Sequence, residues 1–233
     1  MSELIEKFSE INRLPLFPLP VVLLPNELLP LHIFEPRYRQ MLRDVQLENN
    51  FFGLSYFNPD ASGFARPEIG SVGCIAEVRE VQTLEDGRSN ILTVGVIRYR
   101  IEDYVQTNEP YLIGEIAVFE DYESDPEILE PLAGEVHQMF ERIARAAHQL
   151  SGAQQALPQI LPAEPQALSF LVAAAFSLPP ETKHELLVTR STVERLERLR
   201  GILKQAMVQI EESAKINKAA KTNGHSNKKI DLN

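Results

Sequence analysis

The chain has 233 residues, a net charge of -10 and 44% hydrophobic residues, enough length for one large core or two small ones. Residues 1–210 carry 18 basic and 30 acidic groups, a balance that repels a phosphate backbone and argues against nonspecific nucleic-acid binding. A single cysteine, Cys74, excludes an internal disulfide and a thiolate zinc cluster. No apolar run has the length of a membrane span, and the acidic start MSELIEKFSE lacks the basic segment of a leader, so a cytoplasmic protein is expected.

Residues 1–12 read as an arm, with Leu4, Ile5, Phe8 and Ile11 as its apolar positions. The stretch 14–44, LPLFPLPVVLLPNELLPLHIFEPRYRQMLRD, organises the rest of the chain. Its prolines delete ladder donors and favour extended geometry in the residue before each, which suits edge strands. A turn is expected at Pro25-Asn26-Glu27, then a second strand over 28–34. Pro36 suits the first position of a helix, and Tyr38, Met41, Leu42 and Val45 fall on one helical stripe.

FFGLSYF at 51–57 reads as a strand, and 58–70 as a loop carrying two prolines and two glycines after Asn58. Strands at 73–81 and 91–101 flank the turn Glu85-Asp86-Gly87-Arg88 as a long hairpin, and 111–119 is a further strand. Short local connections favour an antiparallel barrel or curled sheet, because closure hides edges. The period changes near 125. Steps of three or four from Leu129 to Leu150 give a helix starting at Pro131. The run LSFLVAAAF, 168–176, reads as a buried helix ended by Pro179 and Pro180. Another helix begins at Thr182, and Ser191 with Glu194 forms a capping box for the last. The lysine-rich segment 211–233 reads as a disordered tail.

Nucleophile-elbow, metalloprotease and phosphate-loop patterns are absent from the sequence, so neither catalysis nor a cofactor is expected. His137 and His148 stand eleven apart on one predicted helix, where a surface or capping role outweighs metal binding. His32, Glu35 and Arg37 read as a hydrogen-bonded corner between strand and helix, with ligand contact as the alternative. Phe51, Phe52, Tyr56, Phe57 and Phe64 are too many aromatics for one strand face, so they either cover both faces or line a client groove. Phe17 and Phe34 are expected to be buried, and Phe64 to be more exposed than either and to flank that groove. Arg98 and Arg100 share a strand face and read as a solvated rim.

Six segments in order carry a resemblance: the opening stretch, GCIAEV at 73–78, EDGRSNILTVGVIRYRI at 85–101, EPYLIGEI at 109–116, LSFLVAAAFSLPPETKHELL at 168–187 and RLERLRGIL at 195–203. Together they resemble the amino-terminal, substrate-binding domain of the Lon ATP-dependent proteases, which also stands alone in small bacterial and plastid proteins and occurs in cereblon. The resemblance implies an α+β fold: a PUA-like antiparallel β-barrel over 13–120, then a helical bundle over 126–210. It implies recognition of unfolded or misfolded polypeptide, in company with a protease or chaperone. Where that family commonly has glutamine, this chain has His184. The chain reaches Asn233 with no ATPase or protease module, so a stand-alone, non-catalytic binding protein for protein quality control is expected, away from membranes. The alternatives are a structural or regulatory interaction module unrelated to proteolysis, and an RNA-binding module suggested by other PUA-like barrels.

Overall fold

The computed structural model describes residues 3–58, 66–151 and 163–223. After a short helix, α1 (Glu3–Phe8), come the strands β1 (Arg13–Leu19) and β2 (Leu28–Ile33), then helix α2 (Pro36–Glu48). Next are the strands β3 (Phe51–Tyr56), β4 (Val72–Thr83), β5 (Ser89–Val105) and β6 (Leu112–Val118). Four helices close the chain: α3 (Pro126–Ser151), α4 (Pro165–Ala175), α5 (Pro180–Val188) and α6 (Thr192–Asn223).

The turns form where their residues allow. Asn26 takes φ 64° in the turn before β2 and Gly87 takes φ 78° between β4 and β5, the left-handed region that asparagine and glycine tolerate best. Pro36 opens α2 as expected, and the Glu194 N–H is capped by Ser191 Oγ at 3.2 Å. Helix α3 starts at Pro126 instead of Pro131, so Pro131 lies inside the helix. The backbone of α6 continues past residue 210, where the sequence reading ended the helical part.

The strands form one mixed six-stranded sheet in the order β2-β5-β4-β3-β1-β6, and β6 also pairs with β5. This corrects the expected PUA-like antiparallel β-barrel. β1 and β3 run parallel, Leu16 facing Gly53 and Leu19 facing Tyr56. β2 bonds to β5 alone and lies outside the pairings that run β5-β4-β3-β1-β6 and back to β5, so the six strands do not form one antiparallel barrel. The physical reason lies between β1 and β3: that connection contains β2 and the helix α2, and a long crossover of this kind permits a parallel pair. An α+β fold of mixed sheet and helices remains.

Alternation along the strands sends side chains to two cores. Phe17, Phe52, Leu54, Cys74 and Ala76 meet α2 and the helices, including Phe170 and Leu199. Leu14, Leu16, Ile75, Tyr99 and Ile116 form the other core, with Phe8 of α1. Gly53 and Gly73 make room there: a Cβ on Gly73 would stand 2.5 Å from the Tyr99 ring and from the Leu54 carbonyl. The buried Tyr99 hydroxyl is satisfied by Ser55 Oγ at 2.7 Å.

Candidate functional site

The sequence-derived aromatic group does not come together as a surface. Phe52 is 0% exposed and packs 6.0 Å from Phe17. Phe51 is half-buried, edge-on to Phe8 at 5.0 Å. Tyr56 is half-buried and donates to Glu181 Oε1 at 2.8 Å, with its ring 5.2 Å from His184. Phe57 is half-buried and its N–H bonds the Leu19 carbonyl at 2.8 Å. Phe64 lies outside the described residues. Phe34, expected in the core, is 58% exposed. Ile33 points inward at the end of β2, so its neighbour points out and stacks on His32 at 6.0 Å.

The expected corner also divides. Glu35 pairs with Arg37 at 2.8 Å, and the Arg37 guanidinium lies 4.5 Å over Tyr38. His32 turns instead to the sheet, where Nδ1 meets Asn90 Oδ1 at 2.7 Å. The expected Arg98 rim is corrected more strongly: Arg98 is 1% exposed. Its guanidinium and that of Arg195 both bind Asp121, which also accepts from Thr192. Arg98 donates to the carbonyls of Leu187 and Thr189 at 3.1 and 2.8 Å, at the electronegative C-terminal end of α5. Arg195 donates to Ser169 Oγ at 2.7 Å and stacks 4.1 Å from Phe170. Burial would raise the Asp121 carboxyl, but hydrogen bonding and charge from Arg195, with the charge of Arg98, hold it below its usual 3.8. This group clasps sheet to helices, and both terminal nitrogens of each arginine are bonded to protein oxygens.

A second link joins Lys183 of α5 to Glu27, whose other oxygen accepts the Leu24 N–H at 2.9 Å. Beside it His184 Nε2 meets the Val72 carbonyl at 3.3 Å, and burial lowers the imidazole pKa. Among the described residues no group of three or more His, Cys, Asp or Glu could hold a metal ion, and no helix is long and apolar enough to cross a membrane. Cys74 is fully buried, which pushes its thiol up to about 12, so it is protonated and inert.

The surface that stands out is one the sequence reading did not single out: the outward face of β2, β5 and β4. Directly opposed residues of antiparallel strands share a face. Leu28 faces Val94, Pro30 faces Leu92 and His32 faces Asn90. The alternate residues Leu29, Leu31 and Ile33 serve the core. Leu28 is 60% exposed. Leu92 and Val94 are half-buried, and among the described residues they pack against neither core. On the same face β4 presents Glu77, Glu80 and Gln82. The result is an apolar row bordered by Phe34 at one end and by carboxylates along one side. The sequence does not mark this face: Leu28 to Leu31 are all apolar, as are Ile91 and Leu92, so no alternation separates the inward from the outward positions. A separate depression of about 310 Å³ lies between α3 and α6, lined by Arg142, Ile143, Arg145, Met207 and Ile210.

Comparison with known proteins gives a consistent result. The chain is 26% identical over 212 residues to a Lon protease of Desulforamulus reducens, covering 90% of this chain and 26% of that one. It is 27% identical over 222 residues to a Lon protease of Brevibacillus choshinensis, covering 90% and 27%. It thus spans about a quarter of the length of the curated relatives it matches. Two solved structures share the fold. One is a Lon N-terminal domain protein from Xanthomonas campestris, with TM-score 0.57 and 23% identity over 80% of this chain and 96% of that one. The other is the N-terminal domain of the Mycobacterium avium complex Lon protease, with TM-score 0.61 and 18% identity over 82% and 98%. Residues 13–205 match the family model for the ATP-dependent protease La (LON) substrate-binding domain, and the chain belongs to that family.

Proposed function

We propose that the chain is a non-catalytic polypeptide-binding module that holds apolar segments of unfolded or misfolded proteins on the outward face of β2, β5 and β4. It presents them to a separate protease or chaperone. The observation that carries this reading is the apolar row of Leu28, Pro30, Leu92 and Val94, hydrocarbon placed on a solvent face by strand register. A contiguous exposed apolar patch is costly to keep in water and marks an interaction surface. Pro30 removes one donor from β2, which discourages uncontrolled edge pairing. Binding is therefore by side chains across the face, tolerant of client sequence.

The test is fluorescence anisotropy with a labelled, reduced and alkylated model protein. The double variant Leu28→Asp, Leu92→Asp should weaken capture by about tenfold or more, the loss of roughly 1.4 kcal/mol or above. Equal capture by the variant and the parent chain would remove the reading.

A further inference from the structure

Across β2, β5 and β4 the outward residues form three rows: Leu28-Val94-Glu77, Pro30-Leu92-Glu80 and His32-Asn90-Gln82. Glu77 and Glu80 stand three apart, so in a regular strand they would face opposite sides of the sheet. They face the same side because the β4–β5 pairing shifts register between Val78 and Glu80, with Arg79 as the extra residue. The bulge keeps Val78 and Val81 toward the core, opposite Thr93 and Ile91, and sends a second carboxylate outward. The first two rows therefore run from hydrocarbon on β2 and β5 to carboxylate on β4, with directly opposed side chains about 5 Å apart. The cations near these rows do not neutralise Glu80. Arg79 pairs with Glu77 at 2.9 Å and Arg88 with Asp86 at 2.6 Å, while Arg39 lies against the Gly87 turn, past the last row. Glu80 is exposed and, among the described residues, forms no ion pair.

We propose that the outward face selects client segments in which lysine or arginine stands among the apolar residues, with Glu80 as the residue that reads the basic side chain. This selection rests on the client capture proposed above and names the class of client. The match is one of shape as well as charge. Lysine and arginine join a long hydrocarbon stem to a charged head. Laid across Leu92, the stem covers apolar surface while the head reaches Glu80, one strand away. An aliphatic side chain covers Leu92 but leaves Glu80 unmatched, and an acidic one meets Glu80 with like charge. The net charge of -10 acts in the same direction, but its field is screened within about 8 Å at physiological salt, so the nearest carboxylate dominates.

The experiment is fluorescence anisotropy on the full chain, at physiological salt, with three labelled peptides. All share one apolar sequence and carry Lys, Gln or Glu at the same fixed positions. The Lys peptide should bind about threefold tighter than the Gln peptide, and the Glu peptide more weakly than either, the scale of a solvent-exposed ion pair. Glu80→Gln should remove most of the preference for Lys, and Glu80→Lys should turn the preference toward the Glu peptide. Glu130→Gln removes the same charge from an exposed position on α3 and should leave the preference intact. Glu80 is itself exposed, so its variants should melt like the parent chain. Binding of the Gln peptide with no order among the three, or equal loss of preference in Glu80→Gln and Glu130→Gln, would overturn this selection and leave client capture standing. Failure of all three peptides to bind would remove client capture itself, and the selection with it.

Discussion

Two regions of this molecule invert the usual placement of polar and apolar groups. The clasp buries two arginines and an aspartate between sheet and helices, with Arg98 at 1% and Arg195 at 0% exposure. The outward face of β2, β5 and β4 exposes Leu28 and Pro30 and leaves Leu92 and Val94 half-buried. In the clasp, an aspartate, a helix end and two aromatic rings satisfy the buried charge, so the cost of desolvation is met locally. On the outward face, Leu28 and Pro30 stand in water and Leu92 and Val94 are only half covered. The first arrangement fixes how helices sit on the sheet. The second leaves apolar side chains in contact with water, and the proposed client capture would cover them.

Breaking the clasp should give the largest effect. Asp121→Ala leaves two buried guanidiniums facing each other without an anion and should destabilise by about 3–5 kcal/mol, measured in urea melts. Phe52→Ala, a fully buried ring of the main core, should cost a comparable amount, about 3–5 kcal/mol. It would serve as the benchmark for an apolar deletion.

Acid should act on the same interface in two steps. The His184 imidazole is held below its ordinary 6.5 by burial, so the folded chain prefers it neutral. Stability is full above 6.5 and falls as pH drops through the lowered value, because the unfolded state takes up the proton first. Asp121, held below 3.8, keeps its contribution above that pH and loses it as pH falls through its folded value. His184→Gln should abolish the first step and leave the second. Denaturant melts across this pH range would show it; an unchanged profile would place the first step elsewhere.

On the outward face, stability should barely respond. Leu28→Asp and Phe34→Ala alter side chains 60% and 58% exposed and should stay within about 0.5 kcal/mol of the parent, while Leu28→Asp impairs capture. A loss near that of Phe52→Ala would mean that this face is covered in solution.

The elements were legible in the sequence because their signals are local. The Gly87 turn, Pro36 at the start of α2, the Ser191 cap and the apolar stripe of α2 each occupy a few residues. The parallel β1–β3 pairing was not legible, because it depends on where α2 returns the chain. Nor was the clasp: Arg98, Asp121 and Arg195 are far apart in sequence, and an arginine alternating with Ile97 and Tyr99 looks like a solvent-facing residue. Phe34 was expected inside and stands in water, while Phe52 of the client-groove group is fully buried, for one reason. Type says an aromatic is buried, but the phase of alternation decides which side it faces, and one position in phase moves it from core to water.

The most direct examination of client capture is residue-resolved mapping by NMR, titrating an unfolded, apolar-rich peptide into the isotope-labelled chain. We expect shift changes concentrated at 28–34 and 90–94, with Glu77 and Glu80 at their border and little change in α3 or α6. Changes centred on α3 and α6, or on Tyr56 and Phe57 with residues 28–34 silent, would contradict the assignment of capture to the outward face.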